Sequence, residues 1–88
     1  MRGRSFRGHA RIDRVRFVLQ VPERESVWIK LGTLAEIEMD ADEPLHLSGR
    51  VARLSHALDP QTRTMQVEID FDNRERRVIP GMYGNARL

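Results

Sequence analysis

The chain has 88 residues, with 15 basic against 13 acidic side chains for a net charge of +2, and 40% of it is apolar. That composition describes one globular domain and excludes a disordered polyelectrolyte. There is no cysteine, which removes disulfides, thiol catalysis and cysteine-held metals, and no apolar run approaches the ~20 residues of a membrane-spanning helix.

Residues 1–16 hold six arginines (Arg2, Arg4, Arg7, Arg11, Arg14, Arg16) and one acid, Asp13, so the remainder is slightly acidic. Residues 1–11 read as an arginine-rich arm, flexible or foreign to the domain, ahead of a barrel domain over 12–88. Gly3 and Gly8 disfavour a helix in the arm. An arginine arm can meet the phosphates of nucleic acid or lipid, but its one aromatic, Phe6, is too little to stack bases along a strand. A solvated tail is the plainer reading. Met1 to His9 contains no apolar segment of the kind a signal peptide needs.

Val15, Phe17, Leu19 and Val21 alternate with polar neighbours, the pattern of a half-buried strand. Pro22 ends it and suits the first turn of a helix. Glu23 and Glu25 follow where a helix dipole favours acids. Val27, Trp28 and Leu31 then give an apolar face at helical spacing, and Gly32 suits a left-handed stop. The spacing predicts a helix of two to three turns. Ala35, Ile37 and Met39 form a second alternating strand, followed by the acidic turn Asp40–Pro44. Leu45–Leu54 reads as a third strand whose apolar register changes at Gly49, a candidate bulge or bend, with Ala52 and Leu54 facing together beyond it. Asp59, Pro60 and Thr62 shape the next turn. Met65, Val67, Ile69 and Phe71 make the cleanest strand, with Glu68 and Asp70 on its outward, solvated side. Pro80-Gly81 is a strong turn signal, and Met82, Gly84, Ala86 and Leu88 alternate as the last strand. The expected fold is mostly β, a small antiparallel barrel of about six strands with one short α-helix. A faint echo between the halves, 17–39 against 67–88, fits either a repeated half-barrel or chance.

Catalytic and metal chemistry is sparse. No phosphate-cradling glycine loop, nucleophile elbow or His-Glu-x-x-His occurs. His9, His46 and His56 lie far apart and read as surface histidines; Met39, Met65 and Met82 fall on apolar strand faces and read as core. The carboxylates of Glu36, Glu38, Asp40, Glu68 and Asp70 form the wet half of an alternation. Trp28 reads as a lid over the barrel mouth, with a partner anchor as the alternative. The expectation is no enzyme, no metal and no cofactor.

Three segments taken in order carry a resemblance: Asp13-Arg14-Val15-Arg16-Phe17 with Val21-Pro22-Glu23-Arg24, then Gly49 to Leu54, then Leu58-Asp59-Pro60-Gln61-Thr62-Arg63-Thr64-Met65 closed by Pro80-Gly81-Met82. Over residues 12 to 88 the chain resembles the β-barrel domain of periplasmic adaptor subunits (membrane fusion proteins, hemolysin-D-like) of resistance-nodulation-division efflux pumps. The resemblance implies a six-stranded barrel with one helix and a non-catalytic role: an adaptor or assembly domain in a tripartite efflux system, here a fragment or truncated protein, in the periplasm. The implied partners are an inner-membrane efflux transporter and other adaptor protomers. The alternative is a small basic barrel that binds nucleic acid through the arm. Pro22, Gly32, Gly49, Asp59, Pro60, Thr62, Pro80 and Gly81 are the structural turn residues. Trp28, Tyr83, Arg74, Arg76 and Arg77 are the candidate partner contacts. A last strand that ends with the chain is expected to expose unpaired backbone and to invite self-association by edge pairing.

Overall fold

The structure, a computed structural model, describes residues 4–11, 16–55, 60–72 and 78–88. Alternation dominates the local structure. The strands are β1 (Ser5–Ala10), β2 (Arg16–Pro22), β3 (Leu34–Met39), β4 (Leu45–Leu54), β5 (Thr64–Phe71) and β6 (Tyr83–Arg87), with the helix α1 (Glu23–Ser26) between β2 and β3. All pairings are antiparallel, and the sheet closes in the order β1-β2-β5-β4-β3-β6, with β6 back on β1. The expected six-stranded antiparallel barrel with one short helix is the fold observed.

The core is the inward half of each alternation. Phe17, Leu19 and Val21 meet Ile37 and Met39, Val67 and Ile69, and Ala86 with Leu88, all buried. Swapping β1-β2-β3 with β4-β5-β6 leaves every neighbour relation of the closed sheet unchanged. The topology therefore has two-fold character, in line with the half-against-half echo.

Four expectations are corrected. Residues 5–10 are not an arm: Ser5–Ala10 is a barrel strand that pairs with β2 and β6 and so closes the wall. Its inward positions are Phe6, Gly8 and Ala10, too small on average to read as an apolar face. The helix has one turn, not two or three. Ser26 Oγ donates to the Glu23 carbonyl at 2.7 Å, and the chain then leaves the helical path to drop Ile29 into the barrel mouth. Gly49 is no bulge: Leu45, Leu47, Gly49 and Val51 keep one register, and the irregularity falls between Val51 and Arg53. Ala52 is exposed there, and the extra residue turns Leu54 back toward the core. Finally, the last strand has no free edge. It pairs on both sides, and Leu88 N donates to the Arg4 carbonyl at 2.9 Å, so edge pairing offers no route to self-association.

The turn residues fall as follows. Pro22 is the last residue of β2 and caps α1. Gly32 has φ +86°, and its N–H donates to the Val51 carbonyl at 2.8 Å. Pro80-Gly81 occupies the turn closed by Met82 N to the Ile79 carbonyl at 3.1 Å, with Gly81 at φ +93°, the backbone a type II turn demands. Pro60 lies in the turn before β5, where Thr62 and Thr64 share a hydroxyl hydrogen bond at 2.7 Å. Arg63 takes φ 58° there, a left-handed conformation unusual outside glycine. Asp59 lies outside the described residues.

Candidate functional site

The α1 connection closes one end of the barrel. Glu23 N donates to the Arg63 carbonyl at 3.0 Å, and Arg63 returns a guanidinium bond to Glu23 Oε1 at 2.6 Å. Arg4 pairs with Glu25. These contacts fasten α1 to the turn before β5 and to the start of β1. Trp28 is half-buried and packs on the core. Val27, Leu31 and Leu34 are left 79%, 66% and 48% exposed. Sequence spacing made Val27 and Leu31 a buried helical face; the early helix end reverses them. Arg24 and Lys30 lie exposed in the same stretch, with no ion pair among the described residues.

Tyr83 stands elsewhere. It begins β6 at the far end, 58% exposed, with the His9 ring centroid at 5.7 Å and the Arg7 guanidinium carbon 5.8 Å from its ring centre. Arg7 is also bonded to Asp40, which holds that carboxyl below its ordinary range. Trp28 and Tyr83 are thus not brought together. Arg74, Arg76 and Arg77 lie outside the described residues.

A second cluster was missed by alternation. Glu68, on the outer face of β5, is only 3% exposed. Its carboxylate accepts from Arg16 Nη1 at 2.9 Å, from Gln66 Nε2 at 3.0 Å and from Arg11 Nη1 at 3.4 Å. Arg16 Nε also reaches Asp70 at 2.7 Å. Burial by itself would raise the Glu68 pKa. The hydrogen bonds from Arg16 and Gln66, with the fields of Arg53 and Arg11, outweigh it and hold the carboxyl below its ordinary value of 4.5. The available signal was charge opposition on neighbouring strands: Arg16 faces Asp70 in the register, and Arg53 faces Glu68.

This geometry sets a pH dependence. A carboxylate with a depressed folded pKa contributes stability that is complete above its unfolded pKa and lost as pH falls through the folded one. The urea midpoint is expected to be flat near neutrality and to fall below about pH 4.5. Glu68→Gln is expected to flatten that acid limb, as followed by circular dichroism.

The same contacts redefine the arginine-rich start. Arg4, Arg7, Arg11 and Arg16 are each matched by a carboxylate of the barrel. They serve wall and cap of the barrel; Arg2 and Arg14 lie outside the described residues. No group of three or more metal-binding side chains occurs among the described residues.

The family model for the CusB-like β-barrel domain matches residues 14–88. The chain belongs to this family of resistance-nodulation-division adaptor domains. The solved structure of ZneB from Cupriavidus metallidurans is similar to the CusB-like barrel described here, with a TM-score of 0.69 and 31% identity, over 83% of this chain and 29% of that one. The chain therefore spans under a third of that protein's length. No curated protein matches it. The CusB-like barrel is thus a membrane fusion adaptor domain of resistance-nodulation-division efflux, and no helix among its described residues is long and apolar enough to cross a membrane.

Proposed function

We propose that this barrel is a non-catalytic assembly domain of a tripartite efflux system, part of a longer periplasmic adaptor. It packs against an inner-membrane transporter and against other adaptor protomers. The supporting observation is the family match over residues 14–88, on a barrel whose interior is filled by Phe17, Leu19, Ile37, Met39 and Ile69. Among the described residues a core so filled leaves no internal cleft in which a nucleophile, a base and an orienting group converge. Several of its outward charged groups pair across strands, as Arg16 does with Glu68 and Asp70 and Arg7 with Asp40, an arrangement suited to holding a shape.

Retention of a transporter tests this reading. A resistance-nodulation-division transporter from the same organism, purified in detergent, is expected to be retained on the immobilised chain and released by excess free chain. A transporter that passes through unretained overturns the assembly role.

A further inference from the structure

We propose that the outer face of β1, β2 and β5 carries a binding site for a neutral N-acetylated sugar. This goes beyond the assembly role and does not depend on it.

An open groove of about 680 Å³ lies on this face, lined by His9, Arg11, Val18, Gln20, Gln66 and Tyr83. Strand register builds it. Tyr83 stands opposite His9, His9 opposite Val18, and Val18 opposite Glu68, so two rings, an aliphatic group and a carboxylate form one outward row across four strands. Gln20 and Gln66 stand opposite each other beside that row. Val18 is only 7% exposed, yet it lies outside the core cluster. It is an outward side chain covered by its neighbours, and it gives the groove an apolar floor. Tyr83 supplies an exposed ring at one end.

The two amides are held in place from below. Thr64 Oγ1 donates to Gln20 Oε1 at 3.0 Å, and Gln66 Nε2 donates to Glu68 Oε2 at 3.0 Å. Those bonds use neither the N–H groups of Gln20 nor the carbonyl oxygen of Gln66. A donor and an acceptor on directly opposed residues, with Cβ atoms about 5 Å apart, complement the carbonyl and N–H of one acetamido group. Charge argues against an ionic ligand, because the cations beside the groove are matched, Arg11 by Glu68 and Arg7 by Asp40. A peptide strand needs an open sheet edge, and the wall is closed. A pyranose sets an apolar C–H face on Val18 and Tyr83 and turns its polar edge to the amides, the mixture of apolar lining and few placed polar groups that ligand sites use.

The test is a titration of the isotope-labelled chain followed by amide-resolved NMR. N,N′-diacetylchitobiose is expected to shift the signals of His9, Val18, Gln20, Gln66 and Tyr83, with a Kd of about 1 mM. Maltose has the rings without the acetamido groups and is expected to bind at least about fivefold more weakly, the worth of a hydrogen bond. Gln20→Glu keeps the acceptor for Thr64 and removes the donor; it and Tyr83→Ala are each expected to weaken chitobiose about fivefold or more. Glu36→Gln, outward on β3, is expected to leave affinity within about twofold. The comparison of the two sugars on the wild type stands whether or not a variant folds. No shifts at about 20 mM chitobiose, well above that Kd, or equal affinity for maltose overturns the site. Shifts with uridine and none with chitobiose overturn it in favour of a nucleobase. Cosedimentation with cell-wall sacculi, or with lipopolysaccharide, that chitobiose competes away supports the site and shows whether its sugar is borne on a polymer or on a lipid.

Discussion

Arg16→Ala is expected to destabilise the barrel by about 3 kcal/mol, far more than an exposed ion pair is worth. The reason lies with the partner it leaves behind. Glu68 is 3% exposed and would keep only Gln66 and the longer Arg11 contact at 3.4 Å. A buried carboxylate stripped of its main counter-charge costs several times what the pair contributed. Asp70, at 56% side-chain exposure, can turn to water and adds little.

Two controls separate this from a simple loss of contact. Arg16→Met/Glu68→Met removes both charges and is expected to recover most of the loss, since apolar groups of similar volume replace buried pairs at small cost. In the single variant Glu68 keeps Gln66, Arg11 and the field of Arg53 but loses its strongest partner, so its folded pKa moves upward. The loss of stability on acidification should then be smaller than in the wild type. Urea titrations at several pH values read both. A cost under about 1 kcal/mol for Arg16→Ala, typical of a surface pair, would show that water reaches Glu68.

The second large effect is expected at Gly8. It faces inward on β1, opposite Leu19 of β2 and Gly84 of β6. A Cβ there would run into the Val18 carbonyl and lie 2.6 Å from the Phe17 ring. Phe17 is fully buried and the carbonyl is backbone, so neither can give way cheaply. Gly8→Val is expected to cost about 4 kcal/mol. Against the roughly 5–10 kcal/mol that stabilises a domain of this size, that leaves little margin at 37 °C.

The two-fold character of the sheet extends this prediction. Gly49 on β4 faces Phe71 of β5, and a Cβ there would meet the Asp70 carbonyl and the Ile69 Cγ2 at 2.8 Å. That is the same relation Gly8 has to β2, one half-barrel on, so Gly49→Val should fail similarly. Gly32→Ala is the contrast. It has φ +86° but nothing within 4 Å, and is expected to cost only about 1 kcal/mol, from backbone conformation alone. Thermal melts rank the three. Equal losses at Gly8 and Gly32 would remove the steric account.

Alternating side chains determined most of this fold by themselves. β2, β3, β5 and β6 each bury every second residue against one core, and Pro80-Gly81 carries its turn in its own stereochemistry. These features are local, so a one-dimensional reading reaches them. The family is legible for the same reason, because it lives in contiguous motifs around those strands.

What only the tertiary structure decided depends on partners remote in the chain. β1 has Gly8 and Ala10 on its inward face beside Phe6, and one of its two neighbours is β6, nearly the whole chain away, so little local separates it from a tail. Glu68 occupies an outward position that alternation assigns to solvent, and it is buried because Arg11 and Arg16 fold over it. At the α1 end, helical spacing hides Val27 and Leu31, whereas closing the barrel mouth demands Ile29 inside and leaves those two in water. Strand periodicity specifies which face a side chain takes relative to its neighbours; closure of the wall decides what then covers that face.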